Sequence, residues 1–195
     1  MAALVRASRG GALATLRTQT ATVGGTLATF WAAFAANVVT GGALIQYGVI
    51  PRTIVGLRGI LFAPFIHGSL NHLVANSVPF VILGWLVMVR SARHFIPVTL
   101  AAMVGAGLLA WLIGAPGSVH IGASGVIFGY LGFLMLSGWF ARSFGSIALS
   151  VIVTVLWGGL VFGVKPGQPG ISWQAHLGGF IGGVWAARLL HRARR

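Results

Sequence analysis

The 195-residue sequence has no aspartate, no glutamate and no cysteine, and only 7% of its side chains are charged. Each absence removes chemistry. Without carboxylate side chains there is no aspartic dyad, no carboxylate pair for glycoside hydrolysis, no HExxH zinc site, no carboxylate proton relay and no Ser-His-Asp triad. Without cysteine there are no disulfides, thiol nucleophiles or thiolate-held metals. Serine, histidine, asparagine, tyrosine, arginine and backbone amides are what remains for chemistry.

What is present is apolar surface. Hydrophobic side chains make up 57% of the sequence, whereas a soluble domain is about 45–50% apolar and roughly 25% charged. The chain cannot coat a globule with ionised groups, so its solvent is lipid. A spanning helix needs about 20 mostly apolar residues, and six stretches qualify: Thr26 to Ile45, Leu70 to Val89, Phe95 to Ile113, Ser124 to Phe140, Phe144 to Phe162 and Gln174 to Leu190. None alternates with the period of two that marks a barrel strand. The expected fold class is therefore an all-α membrane protein, a bundle of six transmembrane helices over residues 26–190, with a short tail over 1–25 and a basic one over 191–195.

The thirteen cations give a formal charge of +13. A nucleic-acid surface would gather them into a solvent-facing patch. Here they lie scattered between apolar runs, so no nucleic-acid partner is expected. Threading six spans puts Arg6, Arg9, Arg17, Arg90, Arg93, Arg142, Arg188, Arg192, Arg194 and Arg195 on one side, and only Arg52, Arg58 and Lys165 on the other. Cytoplasmic loops carry the excess of Lys and Arg, which places both termini in the cytoplasm.

Polar residues inside spans are costly and face the bundle interior or a wet cavity. They cluster at the outer starts of spans two, four and six. His67, Ser69, Asn71, His72, Asn76 and Ser77 open the second span, Ser124 opens the fourth within Gly122-Ala123-Ser124-Gly125, and His176 opens the sixth within Ala175-His176-Leu177-Gly178-Gly179. All three spans run inward, so Asn76, Ser124 and His176 sit at similar depth. His72 and Asn76, four apart, share a helix face. Gly125, Gly129 and Gly132 form one small-residue stripe, and His176, Gly179 and Gly183 form another. Small residues let membrane helices approach closely, and packing these stripes would bring Ser124 towards His176, as a nucleophile and its base require. The Gly-x-x-x-Gly pairs Gly125/Gly129 and Gly178/Gly182 also read as plain packing seams. A three-histidine metal site from His67, His72 and His176 is conceivable, but His67 lies off the His72 face; no metal and no cofactor are expected. His94, His120 and His191 read as interfacial, without a role.

With these residues in place, the sequence resembles the rhomboid family of intramembrane serine proteases from about Gly56 to Leu190. Three motifs carry the resemblance: His67-x4-His72-x3-Asn76, Gly122-Ala123-Ser124-Gly125 and Ala175-His176-Leu177-Gly178-Gly179-Phe180. It implies a Ser-His dyad, with Ser124 as nucleophile and His176 as general base. It also implies oxyanion or substrate contacts from Asn76, His72 and the Gly122 turn with the Ser124 backbone N–H, and a supporting position for His67. Rhomboids often have a tyrosine four residues after the serine; here Phe128 stands there and can still stack on His176. The Trp-Arg pair common in the first outer loop is replaced by Leu57-Arg58. The implied substrates are transmembrane segments of other proteins. A continuous helix hides its carbonyls in hydrogen bonds, so an unwound stretch is required. The polar run from His67 to Asn76 is the expected path for water, Gly163 to Gly170 the expected cap, and Trp157-Gly158-Gly159 a side gate. The competing classes are a non-catalytic binder of transmembrane helices and a small transporter; the latter is disfavoured by the lack of intramembrane acids and of an internal repeat. The expected location is a bacterial cell membrane, as a multi-pass protein.

Overall fold

In lipid a backbone must satisfy its own hydrogen bonds, and an open sheet cannot. The structure, a computed structural model, describes the backbone of residues 2–192 and the side chains of residues 13–192. Among the described residues the chain is all-helical, and its β-pairing is a single bridge between Val49 and His120. The α-helices are α1 Ala2–Val39, α2 Gly59–Phe62, α3 Leu70–Arg90, α4 Phe95–Ile113, α5 Ser124–Ala141, α6 Phe144–Trp157 and α7 Trp173–Arg192, joined by short 3-10 turns. Among the described residues five segments are long and apolar enough to cross a membrane: Leu13–Val39, Leu70–Arg90, Ala92–Ile113, Ser124–Ala141 and Phe144–Val164.

The second, third and fourth expected spans agree with α3, α4 and α5 to within a residue or two. The first does not. It was expected from Thr26 to Ile45, whereas α1 runs from Ala2 and stops at Val39, so residues 2–25 continue the helix that follows them. The stop has a cause that hydropathy misses: Gly41 and Gly42 adopt left-handed φ of 64° and 89°, the usual glycine termination. Asn37 secures the corner. Its carbonyl accepts from Gly42 N–H (2.7 Å), its Oδ1 accepts from Leu44 N–H (3.0 Å), and its Nδ2 donates to the His67 carbonyl (3.4 Å). The fifth stretch, expected as helix to Phe162, is α-helical only to Trp157 and then tightens to a 3-10 turn over Gly158–Val164, where Gly158 and Gly159 interrupt it. Met1 and residues 193–195 lie outside the described residues.

The sixth expected span coincides with α7, yet α7 is not among the five strongly apolar segments. Its environment explains why. One pair of glycines, Gly178 and Gly182, lies against the backbone of Gly105 and Ala101 in α4, and the adjacent pair, Gly179 and Gly183, lies against the carbonyls of Gly125 and Gly129 in α5. A methyl group on any of the four would land on backbone. The helix is wedged between two others and meets protein where a peripheral helix meets lipid. By contrast α6 leaves Phe144, Val155 and Leu156 70–90% exposed. Leu73, Phe80, Leu83, Tyr130, Phe133 and Leu134 are wholly buried between α3 and α5 and form the main core.

Candidate active site

α3, α5 and α7 all begin at the same end of the bundle, and their first turns surround one cavity of about 560 Å³. Ser124, His176, Asn76, His72 and Phe128 all line it, together with Ser118, His120 and Ser172. Three chain segments separated by some fifty residues each thus deliver polar side chains to a single space.

Ser124 is the first residue of α5 and half-buried. Its N–H is among the four at a helix start that have no intrahelical acceptor, at the positive end of the helix dipole. The turn that presents it needs glycine: Gly122 has φ 106°, and a Cβ there would strike the His72 ring, with Nε2 at 2.5 Å. Gly122 N–H donates to the Ala63 carbonyl (2.8 Å). Ala123 N–H donates to His67 Nε2 at 3.5 Å. His67 is therefore a buttress behind the serine turn. It is completely buried, its ring packed between Phe30 (5.6 Å) and His72 (5.0 Å). Burial first, and then the neighbouring His72, push its pKa down to about 4, with the Phe65 carbonyl pulling weakly the other way.

Asn76 is buried one turn beyond His72 and donates one Nδ2 hydrogen to the His72 carbonyl (2.8 Å). An amide nitrogen carries two hydrogens, so a second remains for a ligand. Ser69 caps α3 by accepting from His72 N–H (3.2 Å), which fixes the first turn that holds both residues.

His176 is buried in the first turn of α7. Phe128 stacks on its ring at 4.1 Å between centroids and 12° between planes, the contact anticipated for a phenylalanine at this position. Nδ1 lies 2.9 Å from the Gly163 carbonyl oxygen. A carbonyl only accepts, so Nδ1 carries the proton and Nε2 of the neutral ring is left with its lone pair. Gly163 is small by necessity, since a Cβ would press on Phe128 Cζ at 2.8 Å and His176 Nδ1 at 3.1 Å. Among the described residues neither Ser124 Oγ nor His176 Nε2 has a hydrogen-bond partner. The glycine stripes do interlock α5 with α7 as their spacing suggested, with Gly179 on Gly125 and Gly183 on Gly129.

One expectation needs correction. His67 does not line the cavity, so it is no part of a water path; the polar lining is His72, Asn76, Ser118, His120 and Ser172. Ser77 also points elsewhere, accepting from Trp31 Nε1 (3.3 Å) and donating to the Leu73 carbonyl (2.8 Å). The three histidines left without a role are not alike: His94 and His191 are buried, and His120 borders the cavity. Ser118 Oγ donates to the Ala115 carbonyl (2.6 Å), so it accepts from His120 Nε2 (3.0 Å), and His120 Nδ1 in turn accepts from Ser172 Oγ (2.6 Å). Burial lowers the His120 pKa. This relay ties the loop before Ser124 to the turn before His176. Sequence reading missed it because two serines and a histidine in separate loops carry no spacing signal; it missed the Gly163 carbonyl because a backbone acceptor has no residue type. Among the described residues no group of three or more metal-ligating side chains converges.

Comparison with known proteins gives a match to the family described as Rhomboid domain over residues 55–193. An uncharacterized protein of Mycobacterium tuberculosis is 40% identical over 165 residues, covering 80% of this chain and 69% of the relative. An uncharacterized protein of Mycobacterium bovis matches to the same extent. One from Mycobacterium leprae is 44% identical over 147 residues, covering 71% of this chain and 58% of the relative.

Proposed function

Because the chain belongs to the rhomboid family and is a multi-pass integral membrane protein, we propose that it is an intramembrane serine endopeptidase that cuts transmembrane segments of other proteins with a Ser124–His176 dyad. The observation that carries this reading is the seating of the His176 ring. Its Nδ1–H is held by the Gly163 carbonyl and its ring by Phe128, which leaves Nε2 basic in the cavity that Ser124 also lines.

Ser124 Oγ attacks the scissile carbonyl carbon while its proton passes to His176 Nε2. The resulting imidazolium keeps its Nδ1–H on the Gly163 carbonyl, the bond that a carboxylate makes in a triad. Negative charge gathers on the former carbonyl oxygen, where the Ser124 N–H, the spare Asn76 N–H and the His72 ring are the available donors. Each well-placed donor is worth about 2.7–4 kcal/mol at the transition state. Collapse breaks the C–N bond, and the amine leaves with the proton from His176. Water, deprotonated by the same nitrogen, then hydrolyses the acyl-enzyme ester. That water enters through the polar lining made by Ser118, His120 and Ser172. The substrate is an unwound part of a transmembrane segment, since helical carbonyls are already engaged. The segment over Gly163 to Gly170 is the cap, and Trp157-Gly158-Gly159 the side gate. Six spans, cytoplasmic termini and a bacterial cell membrane complete the proposal; α7 is the sixth span, masked from hydropathy by its glycines.

The test is cleavage of a model transmembrane substrate by the purified chain beside Ser124→Ala and His176→Ala, together with labelling by a fluorophosphonate. Cleavage and labelling at Ser124 that both substitutions abolish are expected. Substrate capture without cleavage by the unaltered chain would favour the non-catalytic binder.

A further inference from the structure

At the end of the bundle away from Ser124, the C-terminal turns of α5 and α7 enclose a second cavity of about 250 Å³. The two ends are about 27 Å apart along the 18 residues of α5. The second cavity is lined by Arg142, Arg188, Arg192, His191, Trp139 and Phe140. Arg90 stands behind it, donating to His191 Nε2 (3.2 Å), while His191 Nδ1 donates to the Ala187 carbonyl (2.7 Å). Three guanidinium groups thus share one small concavity in a sequence that contains no Asp or Glu to balance them.

The cavity has an apolar neighbour. Between α5 and α6 runs a groove of about 530 Å³ lined by Met135, Leu136, Ile147 and Val151, and it shares Trp139 and Arg142 with the basic cavity. Arg142 holds the corner in a left-handed conformation, φ 51°, with its N–H on the Gly138 carbonyl (3.1 Å). Trp139 is 76% exposed, and tryptophan favours headgroup depth. Guanidinium forks match phosphate oxygens two at a time, and basic pockets between membrane helices suit anionic headgroups. A phosphate in the basic cavity would place an acyl chain directly in the adjoining groove.

We propose that this pair of cavities binds one anionic phospholipid, its phosphate held by Arg142, Arg188 and Arg192 and one acyl chain lying between α5 and α6. A free phosphate would satisfy the arginines but leave the groove unused. The inference stands apart from the proposed proteolysis, because it uses none of the residues around Ser124.

The test is native mass spectrometry of the delipidated full chain titrated with dioleoylphosphatidylglycerol or dioleoylphosphatidylcholine, with thermal unfolding as a folding control. We expect one tightly held phosphatidylglycerol per chain and at least tenfold weaker retention of phosphatidylcholine. The double substitution Arg188→Gln/Arg192→Gln should weaken phosphatidylglycerol retention at least tenfold, and Ile147→Trp, which fills the groove from the opposite wall, should do the same. The control Arg52→Gln/Lys165→Gln, equal in charge but at the other end, should stay within twofold. An equal loss in that control would reduce the effect to net charge and overturn the site. Displacement of the lipid by millimolar inorganic phosphate would make it a free-anion site and overturn the lipid assignment, as would full retention in Ile147→Trp.

Discussion

At the scale of single residues, the absent carboxylate is replaced by a backbone carbonyl. Gly163 orients His176 without adding charge, and the space it leaves is shared with Phe128. Gly163→Ala should therefore lower turnover by about 10²-fold, as small displacements of catalytic groups do, while circular dichroism stays unchanged; equal rates would show that the contact is not needed. Asn76→Ala should cost about 10²–10³-fold in kcat if its spare N–H meets the oxyanion, with little change in KM. His67 contributes to the pH dependence of stability, in the same direction as His120. The folded ring stays neutral down to about 4, whereas the unfolded ring takes a proton near 6.5. Between those values the unfolded state binds more protons, so stability falls as pH drops from 6.5 towards 4 and this contribution then levels off. Thermal unfolding in detergent should show that slope, and His67→Gln should make it shallower. An identical slope in the variant would remove His67 as a cause.

At the scale of elements, the site depends on α7 sitting within contact of two helix backbones. Gly183→Ala would push a methyl group onto the Gly129 carbonyl, an overpacking that should destabilise the fold by about 1–3 kcal/mol. Gly24→Ala in α1, where no atom lies within 4 Å of the new methyl, should instead stabilise by up to about 1 kcal/mol through helix propensity. Opposite shifts in thermal unfolding are the expected result, and equal shifts would refute the wedge. The same helix shows what the sequence could and could not reveal. The stripe through Gly179 and Gly183 was legible from spacing, together with its partners Gly125 and Gly129. The second face, Gly178 and Gly182 against α4, was visible only as a pattern without a partner, because Ala101 and Gly105 are ordinary residues in an apolar run. The N-terminal boundary of α1 was illegible to hydropathy: its first turns are polar and basic, yet the helix, which holds no proline, continues through Gly10-Gly11 and Gly24-Gly25 and ends only where Gly41 and Gly42 turn left-handed. The cluster of Ser124, His176, Asn76 and His72 was legible because polar side chains are rare in spans and stand out. Gly163 and the Ser118–His120–Ser172 relay were not, since they act through backbone or across loops.

At the scale of the whole molecule, the arginine-lined cavity and the Ser124 cavity lie at opposite ends. Arg142, Arg188 and Arg192 line one cavity and Arg90 reaches His191 beside it. At the other end Arg52 donates to the Leu112 carbonyl (3.2 Å) and Arg58 to that of Gln46 (3.0 Å), with the Arg58 guanidinium 4.3 Å above the Tyr47 ring. Four of the ten cations that threading assigned to one side, Arg90, Arg142, Arg188 and Arg192, therefore lie together in space. Cation excess marks the cytoplasmic side, so the end carrying Arg142 and Arg188 should face the cytoplasm and the Ser124 cavity the outside. A chain without cysteine makes this easy to measure. Single cysteines at Ala3 and Ala193 should react with a membrane-impermeant maleimide only after the membrane is opened, whereas Pro116→Cys, in the exposed turn between α4 and α5, should react in intact cells. Reaction of either terminus from outside would reverse the bundle. It would move the Ser124 cavity to the inner leaflet and require substrates to present their unwound segments there.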